Sequence, residues 1–175
     1  MLLKPIIALV VAALLQFSAC SRRDDPGVLV EEEPPVLAST LHVADPRART
    51  QLLKGWHEVE QGSWRWTAGK FAVLLRPPRN AAENGATLQL KFSVPEAVIA
   101  RLQSVTLSAD VQGFQTQPQT YKEAGQFVYS QDIEGKLLTG DSVTVSFGLD
   151  KWLPPGNVDQ RELGLIVSTV GFEAK

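Results

Sequence analysis

The stretch Trp56-His57-Glu58-Val59-Glu60, followed by Gln61-Gly62-Ser63 and then Trp64-Arg65-Trp66-Thr67, sets the fold class. Polar and apolar residues alternate on either side of a short glycine-containing turn, and side chains two apart on an extended chain share a face. The segment therefore reads as a β-hairpin. Working outward, further runs of strand character lie at Phe71 to Arg76, Ala86 to Val94, Val105 to Gly113, Gln126 to Ile133, Ser142 to Leu149 and Leu163 to Phe172. Each is short and bounded by Gly, Pro, Asn or Asp. Leu88, Leu90 and Phe92 alternate with Thr87, Gln89 and Lys91, and Val143, Val145 and Phe147 alternate with Thr144, Ser146 and Gly148. Seven or eight such strands, with no long helical period between them, predict an all-β fold, an antiparallel sandwich. Pro95 to Leu102 is expected to add one or two helical turns, with proline at the first helical position.

The N-terminus has a different character. Met1-Leu2-Leu3-Lys4 is a short basic start, Pro5 to Leu15 is unbroken apolar sequence, and small residues follow at Ser18 and Ala19. This is the layout of a secretory signal. A bilayer core needs about 20 apolar residues in a helix, so the run is too short for a permanent span. Phe17-Ser18-Ala19-Cys20 resembles the lipobox of bacterial lipoproteins, with Phe17 where that family usually has leucine. Cys20 is the only cysteine of the chain, so it forms no internal disulfide, and acylation accounts for it. The resemblance implies cleavage before Cys20, lipid on that residue as the membrane contact, and a place in the cell envelope. Ser21 after the cysteine favours the outer membrane over the inner by the sorting rule of enterobacteria-like cells.

Residues 1–19 thus read as a signal peptide and residues 20–44, with paired prolines and the run Glu31-Glu32-Glu33, as a flexible tether. Residues 45–175 are left for the sandwich, a length suited to one core. The chain carries 17 Lys and Arg against 19 Asp and Glu, dispersed along its length. A nucleic-acid partner would require a basic stripe, and none is visible.

Gly55 to Glu60 (GWHEVE), Trp64 to Thr67 (WRWT) and Asp159 to Val167 (DQRELGLIV) resemble a jelly-roll, carbohydrate-binding-like domain appended to some bacterial glycosyltransferases. His57 departs from the aromatic residue usual in that family. The resemblance implies a jelly-roll sandwich and a glycan-binding function.

The residues exclude several chemistries. A triad hydrolase needs a nucleophile, a base and an orienting group. Only His42, in or beside the tether, and His57, within a strand, could supply the base. No Gly-x-Ser-x-Gly motif accompanies them. Zinc requires several His or Cys ligands at set spacing, calcium closely alternating acids with a glycine, and neither pattern occurs. The expectation is a non-catalytic protein with no cofactor and no metal.

Trp56, Glu58, Glu60 and Arg65 are the ligand-binding candidates, because aromatic rings can stack on pyranose faces while polar neighbours bond the hydroxyls. For Trp64 and Trp66, alternation favours the other arrangement, in which this pair enters the core while Arg65 and Thr67 face out. Trp56 is left open between the two. Asp159 and Arg161, two apart on an extended segment, are expected to pair and to lock the proline-containing loop before the last strand. The function expected is a lipid-anchored binding or accessory module for envelope glycans. The alternative is a structural or assembly lipoprotein that docks another envelope protein.

Overall fold

A computed structural model describes residues 36–175; the expected signal peptide, Cys20, Ser21 and most of the expected tether lie outside the described residues. The strands are β1 (Thr40–His42), β2 (Leu52–Glu60), β3 (Trp64–Leu75), β4 (Ala86–Val94), β5 (Val105–Val111), β6 (Phe114–Gln115), β7 (Gln119–Tyr121), β8 (Gly125–Ile133), β9 (Val143–Leu149) and β10 (Ile166–Ala174). Two short α-helices, α1 (Ala81–Asn84) and α2 (Glu96–Leu102), and two 3-10 turns, Pro46–Thr50 and Gly135–Leu137, join them. All pairings are antiparallel, in the order β6-β5-β9-β3-β10-β4-β8, with β1 on β10, β2 on β3 and β7 on β5. The class is the all-β antiparallel sandwich.

The sandwich is one sheet curled on itself, and β3 is its corner. The C-terminal half of β3, Lys70 to Leu75, pairs with β9. Its N-terminal half pairs with β10 through Arg65 and Trp66. One face of the sandwich is therefore built from β2, the end of β3, β9 and β5, and the other from the start of β3, β10, β4 and β8. The far side is closed by aromatic contacts between these layers. Tyr121 on β7 lies 5.0 Å from Phe92 on β4 and 4.8 Å from Phe127 on β8, and Tyr129 on β8 lies 6.5 Å from Phe147 on β9. Edge-on and tilted geometries of this kind are preferred by ring quadrupoles.

Period-two alternation explains the core. In β4 the buried residues are Ala86, Leu88, Leu90, Phe92 and Val94, and in β5 they are Val105, Leu107, Ala109 and Val111. Full burial of such a side chain is worth about 1.5–3 kcal/mol, so a one-residue slip in either strand would expel a whole row at prohibitive cost. In the helix after β4, Pro95 is the N-cap rather than the first helical residue, and Val98 is fully buried.

Two expectations need correction. The domain starts before Asp45, because Thr40–His42 pairs with Gly171, Val170 and Thr169 of β10, and Leu41 and Val43 are buried. Buried Gln51 secures this entry: its amide nitrogen donates to the carbonyls of Ala38 and Leu74, and its Oε1 accepts from the Ala38 amide. His42 is accordingly held in a strand and not in a tether. The strand count also differs, since the runs at Trp64 and Phe71 are one continuous twelve-residue strand and β1, β6 and β7 are pieces of two or three residues.

Candidate functional site

The continuity of β3 decides which way the hairpin faces. Phe71, Val73 and Leu75 are fully buried, and the same parity carried back along the strand sends Gly69, Thr67 and Arg65 inward as well. Trp64 and Trp66 consequently stand on the outer face, half-buried. The expectation that this pair enters the core while Arg65 and Thr67 face solvent is overturned. Arg65 is buried, donating from Nε to the Val43 carbonyl (2.7 Å) and from Nη1 to the His57 carbonyl (2.8 Å). It ties the end of β1 to β2.

The other ligand-binding candidates also have different positions. Trp56 packs edge-on against Phe71 at 5.1 Å and donates its indole N–H to the Ala72 carbonyl (2.8 Å). It belongs to the core margin. A register shift between Trp56 and Val59 breaks the alternation of β2, so Trp56 pairs with inward Thr67 whereas Glu60 pairs with outward Trp64. Glu58 is exposed, and Glu60 is bound by Arg161 at 2.7 Å. Trp56, Glu58, Glu60 and Arg65 do not form one site.

Asp159 and Arg161 do come together. Nε of Arg161 donates to Oδ1 of Asp159 at 3.0 Å and Nη2 to Oδ2 at 2.8 Å, while the Arg161 amide caps Oδ1 at 2.9 Å. These bonds from the guanidinium and amide hold the Asp159 carboxyl down to about 2. His57 completes the attachment of this loop by donating from Nε2 to the Glu162 carbonyl at 2.6 Å.

Outward parity assembles a different set of side chains. Ladder pairing sets Trp66 beside Ile166, Ile166 beside Ser93, and Ser93 beside Gln126 in one row across β3, β10, β4 and β8. In the adjacent row Lys91 stands opposite Val128, and a slip between Val167 and Thr169 inserts Ser168, whose hydroxyl donates to the Lys91 carbonyl at 3.3 Å. Trp64 and the β10, β4 and β8 members of these rows line a groove of about 500 Å³. Four strands at about 4.8 Å spacing give it a width of about 14 Å. Trp64 stands edge-to-face with Trp66, centroids 6.5 Å apart and planes at 84°. Trp66 packs on the core and props its neighbour, so the Trp64 ring is a fixed shelf at one end of the groove.

Lys91 is exposed, and no carboxylate lies within ion-pair distance of its ammonium among the described residues. The residues lining the groove include no acid and no histidine. The site thus presents one aromatic shelf, hydroxyl and amide groups, an exposed valine and a single free cation. This matches the mixed lining expected of a ligand groove, apolar area with a few placed polar groups. Lys91, Ser93, Gln126 and Ser168 were not singled out from sequence. The available signal was their place in the polar phase of the alternating strands.

A second opening, about 490 Å³, lies beside Arg76, Arg79, Glu83 and Asp141 and mixes both signs of charge. Among the described residues no three His, Cys, Asp or Glu side chains are grouped to hold a metal, and no helix is long and apolar enough to cross a membrane. Fold and groove together define an all-β sandwich with an aromatic shelf on its outer face. No family model matches the chain, and no curated protein matches it.

Proposed function

We propose that this chain is a lipid-anchored protein of the bacterial envelope whose sandwich is a non-catalytic binding module for glycans. The observation that carries the reading is the outer groove, where Trp64 lines one end and Ser93, Gln126 and Lys91 line the floor beyond it. A pyranose has an apolar face and an equatorial belt of hydroxyls, so it suits an aromatic shelf rimmed by small polar groups. The jelly-roll resemblance of the Gly55, Trp64 and Asp159 segments supports the same assignment. A groove lined by neither acid nor histidine provides no carboxylate pair for glycoside cleavage and no general base, which favours binding over turnover.

The lipobox-like Phe17-Ser18-Ala19-Cys20 supports anchoring through lipid on Cys20, and Ser21 supports the outer membrane. More than one acyl chain on that cysteine gives durable attachment, at about 0.8 kcal/mol per buried methylene. The test is a glycan array probed with the full-length chain in non-ionic detergent, repeated with Trp64→Ala. Saturable binding that Trp64→Ala abolishes supports the proposal. Silence of the folded chain across the array removes it and directs the search to a protein partner in the envelope.

A further inference from the structure

Building on the glycan-binding reading, we infer that the groove selects an acidic sugar, a uronate whose ring lies on Trp64 while its carboxylate meets the ammonium of Lys91. The argument is one of charge. Lys91 projects from the middle of the outer sheet, flanked by Val128 on β8 and Thr169 on β10. It is the one ionic side chain among the groove's lining residues.

The carboxylates nearest in the ladder form no ion pair with Lys91. Asp132 on β8 is paired with Lys175 at 3.0 Å, and Glu173, further along β10, is turned to Nε2 of Gln89 at 2.7 Å. Glu60, cross-strand from Trp64, is bound by Arg161 at 2.7 Å. The ammonium of Lys91 therefore remains free to compensate a ligand charge. A neutral sugar would leave that compensation unused.

The number of charges narrows the class further. One lysine balances one monovalent carboxylate, whereas a dianionic phosphate ester is usually gripped by arginine forks or by several cations. No arginine lines the groove. The amides and hydroxyls of Gln126, Ser93 and Ser168 remain for the ring hydroxyls, and charge-assisted hydrogen bonding from Lys91 is the stronger contact that confers selectivity.

The full-length chain in non-ionic detergent should be titrated by calorimetry with polygalacturonate and with its fully methyl-esterified form, which keeps the backbone and removes the charge. The expected result is at least about tenfold tighter binding of the acid, the range of one charged hydrogen bond. Lys91→Gln should abolish that preference, Lys91→Arg should retain it, and Trp64→Ala should weaken both polymers. Equal binding of acid and ester, unaffected by Lys91→Gln but lost in Trp64→Ala, would overturn the acidic-sugar inference and leave the glycan reading standing. Binding of neither polymer would also overturn the inference, and the neutral sugars of the array then decide the broader reading separately.

Discussion

Arg161 holds Asp159 with two guanidinium nitrogens and its own amide while a third nitrogen reaches Glu60 on the hairpin. One arginine thus fastens the loop before β10 to the strand whose partner carries the tryptophan shelf. The loop is stiffened again by Trp152, which lies against Gly69 so closely that a Cβ there would be 2.3 Å from the indole ring. Arg161→Ala should leave the sandwich folded but expose residues 150–165 to protease several-fold faster. Because both members of the pair are about a third exposed, the global melting temperature should fall by only about 2 °C. A loss of cooperative unfolding would show the loop to be integral to the core.

The same pair sets an acid limit. Asp159 has a folded value of about 2 against an ordinary value of 3.8. The lowered value means the unfolded chain binds the proton first as pH falls. The stabilisation is therefore complete above about pH 4 and lost as pH drops from 4 toward 2. Urea unfolding of the wild type and of Asp159→Asn across that interval should converge at the acid end. Parallel curves would contradict the assignment.

Both tyrosines of the chain are buried in the closure of the sandwich, which gives an alkaline counterpart. Burial pushes the Tyr121 phenol up to about 12 and also raises Tyr129, whose hydroxyl meets Thr116. Raised values mean that the unfolded chain ionises first, so this stabilisation is intact below about pH 10 and lost as pH rises through the folded values. Absorbance at the tyrosinate band should stay flat through pH 10 and rise together with unfolding. A reversible transition near 10 in the folded protein would place a phenol in solvent.

The tryptophans of the hairpin separate stability from binding. Trp56→Ala removes an edge contact on Phe71 and the bond to Ala72, and should cost about 3 kcal/mol in denaturant unfolding. Trp64→Ala, on the outer face, should cost less than about 1 kcal/mol while removing the proposed glycan binding. Arg65→Met strands two backbone carbonyls and should cost about 2–4 kcal/mol with no selective effect on a ligand. If Arg65→Met spared stability and abolished binding, the inward placement of Arg65 would be wrong.

Gly55 tests the bulged strand. Its φ of +74° is costly for any residue with a Cβ, and a Cβ here would lie 2.1 Å from the Lys70 carbonyl oxygen. Gly55→Ala is expected to destabilise more than Gly62→Ala, whose Cβ would meet nothing within 4 Å although φ is also positive. Equal midpoints for the two would indicate that β2 can move off β3.

The strands at Ala86 to Val94 and Ser142 to Leu149 were legible because alternation alone fixes which side chains must leave water. The hairpin strands were legible as strands but their inward face was not. Trp64-Arg65-Trp66-Thr67, taken as four residues, makes two tryptophans the natural inward face. Continued through Gly69 to Phe71, Val73 and Leu75, the same periodicity sends arginine in and tryptophan out, since three large aliphatic and aromatic side chains outweigh one guanidinium that finds two carbonyls. The site was hidden for a related reason: Lys91, Ser93, Gln126 and Ser168 are unremarkable polar residues in three strands far apart in sequence.

By itself, then, the sequence determined the all-β class and most of the strands, because period-two burial is a local property of each segment. It also carries the lipobox-like Cys20, whose signal is a run of adjacent residues. Only the tertiary structure decided the parity of β3, the docking of β1 on β10 and the groove. These depend on which strands become neighbours, and that pairing is set by burial of the whole core at once, with no single segment containing it.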